Sequence, residues 1–290
     1  MLWVSAWTSR PCSSISELVS SLESIGFFDD DETGSEFPER FVCRPDLGVS
    51  LVVHGMGASV SGAPAAELMA QSLVEHLERG AGSGHATGSG GGPALAAAIQ
   101  AGNQRLFARA HSGESFTSFE GFLWAGMRAT LVALHAKDDA LSIAHVGDCR
   151  AYLVGRAAQR ALTLDHSLVN ELRDEPLPPG FDLTVYQNVL TRSLGSEPAI
   201  SVDLRSEPWS PGDRVLLCTP ALTRLLDEQE IGAVLDPHGA DLMAAGRRLL
   251  ELARTRRQAR WGYATRFLTF TLSRRLERSS RARIVRRSRA

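Results

Sequence analysis

The sequence predicts an α+β sandwich, mostly antiparallel sheets with helical hairpins outside. Segments of strand character come in groups separated by helix pairs, so too few strands alternate directly with helices for a doubly wound parallel sheet. Short polar turns such as Lys137-Asp138-Asp139 join consecutive strand segments, which suits antiparallel neighbours. At 290 residues and 43% hydrophobic, the chain has enough apolar content to bury a core and too much to be wholly disordered.

Near the start, Ile15, Leu18, Val19, Leu22 and Ile25 recur at helical spacing. They predict a small helix, followed by an acidic loop at Asp29, Asp30, Asp31 and Glu32. VSLVVH (49–54) is a continuous β-branched run stopping at Gly55, a buried strand entering a turn. Helical spacing returns over 63–77 and again over roughly 93–110. Between them, 80–92 holds seven glycines in thirteen residues and reads as a flexible connection. Strand patterns at 127–136, 140–147 and 149–155 read as an antiparallel meander, and 161–167 closes a further strand. Asp165 or Ser167 would cap the helix starting near Leu168. After the breaker-rich loop 176–182, strands are expected at 200–207 and 213–218, linked by the turn Pro208-Trp209-Ser210-Pro211-Gly212. Helical patterns fill 221–258, and 266–272 reads as a final strand.

Composition narrows the setting. No run approaches 18 apolar residues, so no membrane-spanning helix is expected, and the opening segment lacks a secretory signal pattern. Four scattered cysteines (Cys12, Cys43, Cys149, Cys218) show no metal spacing and read as free thiols in a cytoplasmic protein. The formal charge of −2 hides an asymmetry: residues 241–290 carry a net +12 and the remainder −14. The tail 273–290, rich in Arg and free of aromatics, reads as a disordered segment. It has no stacking platform for nucleic acid, but Arg274, Arg275, Arg278, Arg281, Arg283, Arg286 and Arg287 would suit an anionic partner surface. The glycine-rich loop lacks the pattern of a phosphate-cradling P-loop.

HGMGASVSGAPAAEL (54–68), GMRATLVAL (126–134), AHVGDCRAYL (144–153), LTLDHSLVNEL (162–172), NVLTRSLG (188–195) and PGDRVLLCTPALTRLL (211–226), in order over roughly residues 38 to 272, together resemble the metal-dependent (PPM, type 2C) protein Ser/Thr phosphatases. HGMGASVSGAPAAEL is similar to the family's D-G-M-G-G-H-x-x-G-E-x-A segment, and GMRATLVAL to G-x-T-T-L-V-A-L. AHVGDCRAYL resembles A-x-V-G-D-S-R-A-Y-L, and LTLDHSLVNEL resembles L-T-x-D-H-S-x-V-x-x-L. NVLTRSLG is similar to N-x-L-T-R-A-L-G, and PGDRVLLCTPALTRLL to P-G-D-x-L-L-L-C-S-D-G-L-x-D-x-L. The resemblance implies a four-layer αββα sandwich over 37–272, with 1–36 as an N-terminal extension and metals bound where the two sheets meet. It also implies two Mn²⁺ or Mg²⁺ ions, which take hard oxygen ligands and activate water against a phosphoryl group.

Carried over position by position, the resemblance runs into replacements. The bridging Asp falls on His54, the Asp of S-D-G on Pro220, and the last metal Asp on Gly262. Glu39 takes the early carboxylate position, Gly55 the backbone-carbonyl position and Asp148 a third, weaker metal position. The phosphate-gripping Arg falls on Gly34. Plain structural roles also suit these residues: His54 at a strand end, Gly55 and Gly57 in a turn, Asp148 bracing a turn. Arg150 and Arg192 read as surface or turn braces, and Asp165 and His166 as helix-start residues. The expectation is a pseudophosphatase without catalytic metals, a regulatory module for a phosphoprotein or Ser/Thr kinase partner. The alternative is an active Mn- or Mg-dependent phosphatase in which Glu39, His54 and Asp148 hold one ion.

Overall fold

A computed structural model describes residues 22–28, 38–57, 62–82, 91–112, 126–155, 158–178, 180–236, 241–261 and 269–275. Among the described residues, ten strands form two five-stranded antiparallel sheets. One sheet, in the order β1-β10-β9-β6-β7, comprises β1 (Leu22–Phe28), β10 (Thr269–Arg275), β9 (Arg214–Cys218), β6 (Arg150–Val154) and β7 (Gln159–Ala161). The other, in the order β2-β3-β4-β5-β8, comprises β2 (Glu39–Arg44), β3 (Val49–Met56), β4 (Arg128–Lys137), β5 (Ala140–Val146) and β8 (Asp203–Pro208). Helices α1 (Gly62–Gly82) and α2 (Gly91–Ala110) cover the second sheet. On the first lie the short α4 (Pro220–Thr223) and α5 (Glu228–Val234), with α6 (Leu242–Trp261); one turn, α3 (Leu168–Glu171), stands apart.

Three apolar layers result, and alternation along each strand assigns residues to them. In β3, Leu51 and Val53 face α1 and α2, while Val52 faces the opposite sheet. In β9, Val215 and Leu217 face between the sheets, and Leu216 and Cys218 face the helices. Both faces of these central strands are covered, which explains why VSLVVH and RVLLC read as unbroken apolar runs. Cys43, Cys149 and Cys218 carry no disulfide, as expected, and all three are buried; Cys12 lies outside the described residues.

Several expectations need correction. Where the expected helix reached Leu22 and Ile25 the chain forms β1, which pairs with β10 along all seven of its residues, while Ile15, Leu18 and Val19 lie outside the described residues. The inward positions of β1 include Ser24, bonded to Ser50 and Ser273, and Gly26, where a side chain would collide with Phe41. With a serine and a glycine on one face, the period-2 pattern is masked. The sheet therefore starts inside the stretch read as an extension and ends past residue 272. Arg274 and Arg275 are β10 residues rather than tail. The acidic run 29–32, Gly34, Gly262, residues 83–90 of the glycine loop, and Arg278, Arg281, Arg283, Arg286 and Arg287 lie outside the described residues.

The meander is also wrong beyond its first hairpin. β4 and β5 pair, but β6 belongs to the opposite sheet, so Gly147-Asp148-Cys149 crosses from one sheet to the other. The Pro208–Gly212 turn likewise crosses back, from β8 to β9. Of the expected strand around 161–167 only Ala161, the last residue of β7, lies in a strand. Beyond it, Leu162 N–H donates to Ala151 O, Thr163 Oγ1 accepts from Ala151 N–H, and His166 N–H donates to Gly147 O. These bonds draw the segment across the sheet crossover instead of along a partner strand.

Candidate functional site

The two sheet crossings place the family-matched strings at one end of the sandwich. Glu39 opens β2, His54 lies opposite it in β3, and Thr130 lies opposite His54 in β4. Strand parity puts all three side chains on the inter-sheet face, with Val52 and Val132. Thr130 Oγ1 donates to Asp148 Oδ1 at 3.0 Å, so Glu39, His54, Thr130 and Asp148 form a continuous polar line. Glu39 is buried; its Oε1 lies 3.4 Å from His54 Nδ1, and its Oε2 has no hydrogen-bond partner. Burial pushes the Asp148 carboxyl up, against the pull of His54 and the Thr130 bond.

Pro220 sits on the facing sheet, buried at the first position of α4 after Cys218 and Thr219. Its fixed φ and missing N–H suit that position, and it offers no side-chain acceptor. Gly55 is not a turn glycine with positive φ. It is the last but one residue of β3, and a Cβ there would lie 1.8 Å from Gly62 O. The glycine exists because α1 starts against the strand.

Around this line the braces are resolved in detail. Asp165 does not cap a helix by its side chain. It grips Arg150 through two bonds of 2.8 Å, while Ser167 caps α3. Arg192 Nη1 donates to Asp203 Oδ1 at 2.5 Å. His166, expected at a helix start, lies on the sheet crossover: Gly147 N–H donates to its Nδ1 at 3.0 Å, and its Nε2 lies 3.2 Å from Asp203 Oδ2. His145 stacks on it with centroids 4.5 Å apart and donates from Nε2 to Leu164 O.

Reading the strings one at a time misses this cluster; the two histidines in AHVGD and LDHS, and the Arg and Asp downstream, were its only signal. His145, His166 and Asp203 bring one ligand-type atom each within 4.8 Å of one another. His166 nevertheless has no nitrogen to spare: Nδ1 accepts from Gly147, so the proton sits on Nε2 and is donated to Asp203. A cation bound there would have to break one of those bonds. Burial lowers the tendency of both imidazoles to protonate. It would raise the Asp203 carboxyl, but the Arg192 and His166 bonds outweigh it and hold that group below the usual range.

The fold, two antiparallel sheets between layers of helices, is that of solved bacterial Ser/Thr phosphatases, and part of the chain is similar in sequence to such proteins. Over 112 residues it is 37% identical to a serine/threonine phosphatase, stp, of Listeria innocua; that stretch is 38% of this chain and 44% of that protein. The chain thus matches less than half the length of this curated relative. The structure superimposes on the Mycobacterium tuberculosis serine/threonine phosphatase PstP/Ppp with a TM-score of 0.70 at 22% identity, covering 88% of this chain and 99% of that one. A crystal structure of the PstP catalytic domain in complex with two manganese ions matches with a TM-score of 0.66 at 23% identity, covering 88% and 99%. No protein-family model matches.

Proposed function

We propose that the chain is a pseudophosphatase, a binding module of bacterial Ser/Thr phosphorylation signalling that keeps the phosphatase frame without its two-metal chemistry. What supports this is the set of side chains at the end of the sandwich, Glu39, His54, Asp148 and Pro220, taken with the resemblance, which puts His54 and Pro220 where the family has metal aspartates. Two divalent cations bring four positive charges into a small volume. One charge pair 4 Å apart contributes about 4 kcal/mol at an effective dielectric of ~20, so each missing carboxylate weakens the site by several kcal/mol. Two carboxylates with an imidazole and a proline do not fit a pair of hard cations. On this reading the partner is a phosphoprotein or a Ser/Thr kinase. The Arg-rich segment beyond β10 is a further proposed contact for an anionic surface.

Hydrolysis of p-nitrophenyl phosphate with Mn²⁺, against a chelator control, tests the reading. The expected result is equal rates with and without chelator. Mn²⁺-dependent turnover abolished by Asp148→Asn would overturn it.

One observation favours a second reading, an active phosphatase with a single ion. Glu39 Oε2 is buried without a hydrogen bond, and His54 Nδ1, 3.4 Å from the other carboxylate oxygen, makes none either. A cation held between Glu39 and His54 would satisfy these atoms and supply Lewis-acid activation of water, while Asp148, tied to Thr130, does not bring its carboxylate within 4.8 Å of both. Stoichiometric binding of one Mn²⁺ or Zn²⁺ in calorimetry distinguishes the readings.

A further inference from the structure

We infer that His166 is the positioning residue of the Gly147-Asp148 crossover, and that a proton arriving on its Nδ1 releases that crossover. The inference goes beyond the proposed function and holds whether or not the pocket turns over a phosphate ester.

The geometry is reciprocal. Gly147 N–H donates to His166 Nδ1, and His166 N–H donates to Gly147 O, both at 3.0 Å. Gly147 has φ +97°, open to glycine and strained for other residues, and a Cβ there would lie 2.1 Å from Thr130 Cγ2. The same Thr130 holds Asp148 through its hydroxyl. Motion of Gly147 therefore reaches Asp148 through the peptide link and through Thr130. If Nδ1 takes a proton, two N–H groups face each other 3.0 Å apart, and the bond becomes a repulsion.

Charged and titratable groups face His166 from every element packed on it. His145 of β5 stacks on the ring, Asp203 of β8 accepts from Nε2, and Arg192, in the segment before β8, lies 3.1 Å from Nε2. Asp165, its chain neighbour, is held by Arg150. Asp203 favours a charged ring; Arg192 and His145 oppose it, and burial opposes it most. The ring is therefore neutral near pH 7, and acidification is what breaks the Gly147 bond.

The test is NMR on the full ¹⁵N-labelled chain, reading the through-hydrogen-bond coupling between Gly147 N and His166 Nδ1 and the exchange protection of the Gly147 amide. Near neutral pH the coupling is expected to be present. On acidification it should vanish, and Gly147 protection should fall at least about tenfold relative to the Val146 amide. His166→Asn keeps an acceptor near the Nδ1 position without a titrating group, so its Gly147 amide should stay protected across the same range. His166→Gln, which mimics Nε2, should lack protection throughout. No coupling in the wild type at neutral pH would overturn the inference. So would a pH response in His166→Asn equal to that of the wild type. Should His166→Gln not fold, the wild type and His166→Asn decide the matter between them.

Discussion

Substituting Gly55 by Ala isolates what that glycine does. The added Cβ would lie 1.8 Å from Gly62 O, 2.7 Å from Gly62 C and 3.0 Å from Ala66 N. All three are backbone atoms, so no flexible side chain can step aside, and the first turn of α1 must withdraw by more than about 1 Å. That withdrawal pulls Ala65, Ala66 and Met69 off Leu51 and Val53 in the same apolar layer. Overpacking typically costs 1–3 kcal/mol, and a backbone clash belongs at the upper end, so about 3 kcal/mol is expected. For a domain of this size the melting temperature should drop by roughly 6–12 °C. Urea unfolding by far-UV circular dichroism, with and without Mn²⁺, measures it. The loss should be the same in both, because packing sets it. A loss under 1 kcal/mol, or one appearing only with Mn²⁺, would refute the packing argument.

Other perturbations follow from the same contacts. His135, His145 and His166 are each held neutral, first by burial. The unfolded chain therefore binds more protons below the ordinary histidine range near pH 6.5, and stability, fully present above it, falls as pH drops through the lowered folded values. The slope should be at most about 1.4 kcal/mol per pH unit for each histidine, read from urea midpoints between pH 7.5 and 5; a flat profile contradicts it. Asp165→Asn leaves the Arg150 guanidinium, one-third exposed, without its twin carboxylate bonds, and should cost about 2 kcal/mol in the same unfolding assay. Cys149 and Cys218 are fully enclosed, and burial pushes Cys218 up to about 12, so a thiol reagent at pH 8 should modify them only after denaturation. Restoring acidic groups by His54→Asp with Pro220→Asp should raise Mn²⁺ affinity at least about tenfold in calorimetry.

The central strands were legible because both their faces are apolar: VSLVVH, RATLVAL and RVLLC have one reading, and each is a strand. The hairpins α1 and α2 were legible by period. β1 was not, since its inward face carries Ser24 and Gly26, and its partner β10 lies some 250 residues away in sequence. Sheet membership was equally hidden. A Gly-Asp turn between two strands looks the same locally whether it closes a hairpin or crosses a sandwich, and only long-range pairing distinguishes them. Of the site, His54, Thr130 and Asp148 lie in the matched strings, and Glu39, outside them, joins the line by pairing with His54. The grip of Asp165 on Arg150 and the bond from Gly147 to His166 were not legible, because they join residues 15 and 19 apart with no periodic signature.

The most direct measurement of the central claim is isothermal calorimetry of Mn²⁺ into the purified chain at neutral pH. On the proposed reading, in which Glu39 and Asp148 are retained carboxylates and His54 and Pro220 replace two more, no stoichiometric binding is expected at micromolar concentrations. Two equivalents of Mn²⁺ bound with micromolar Kd would contradict the account.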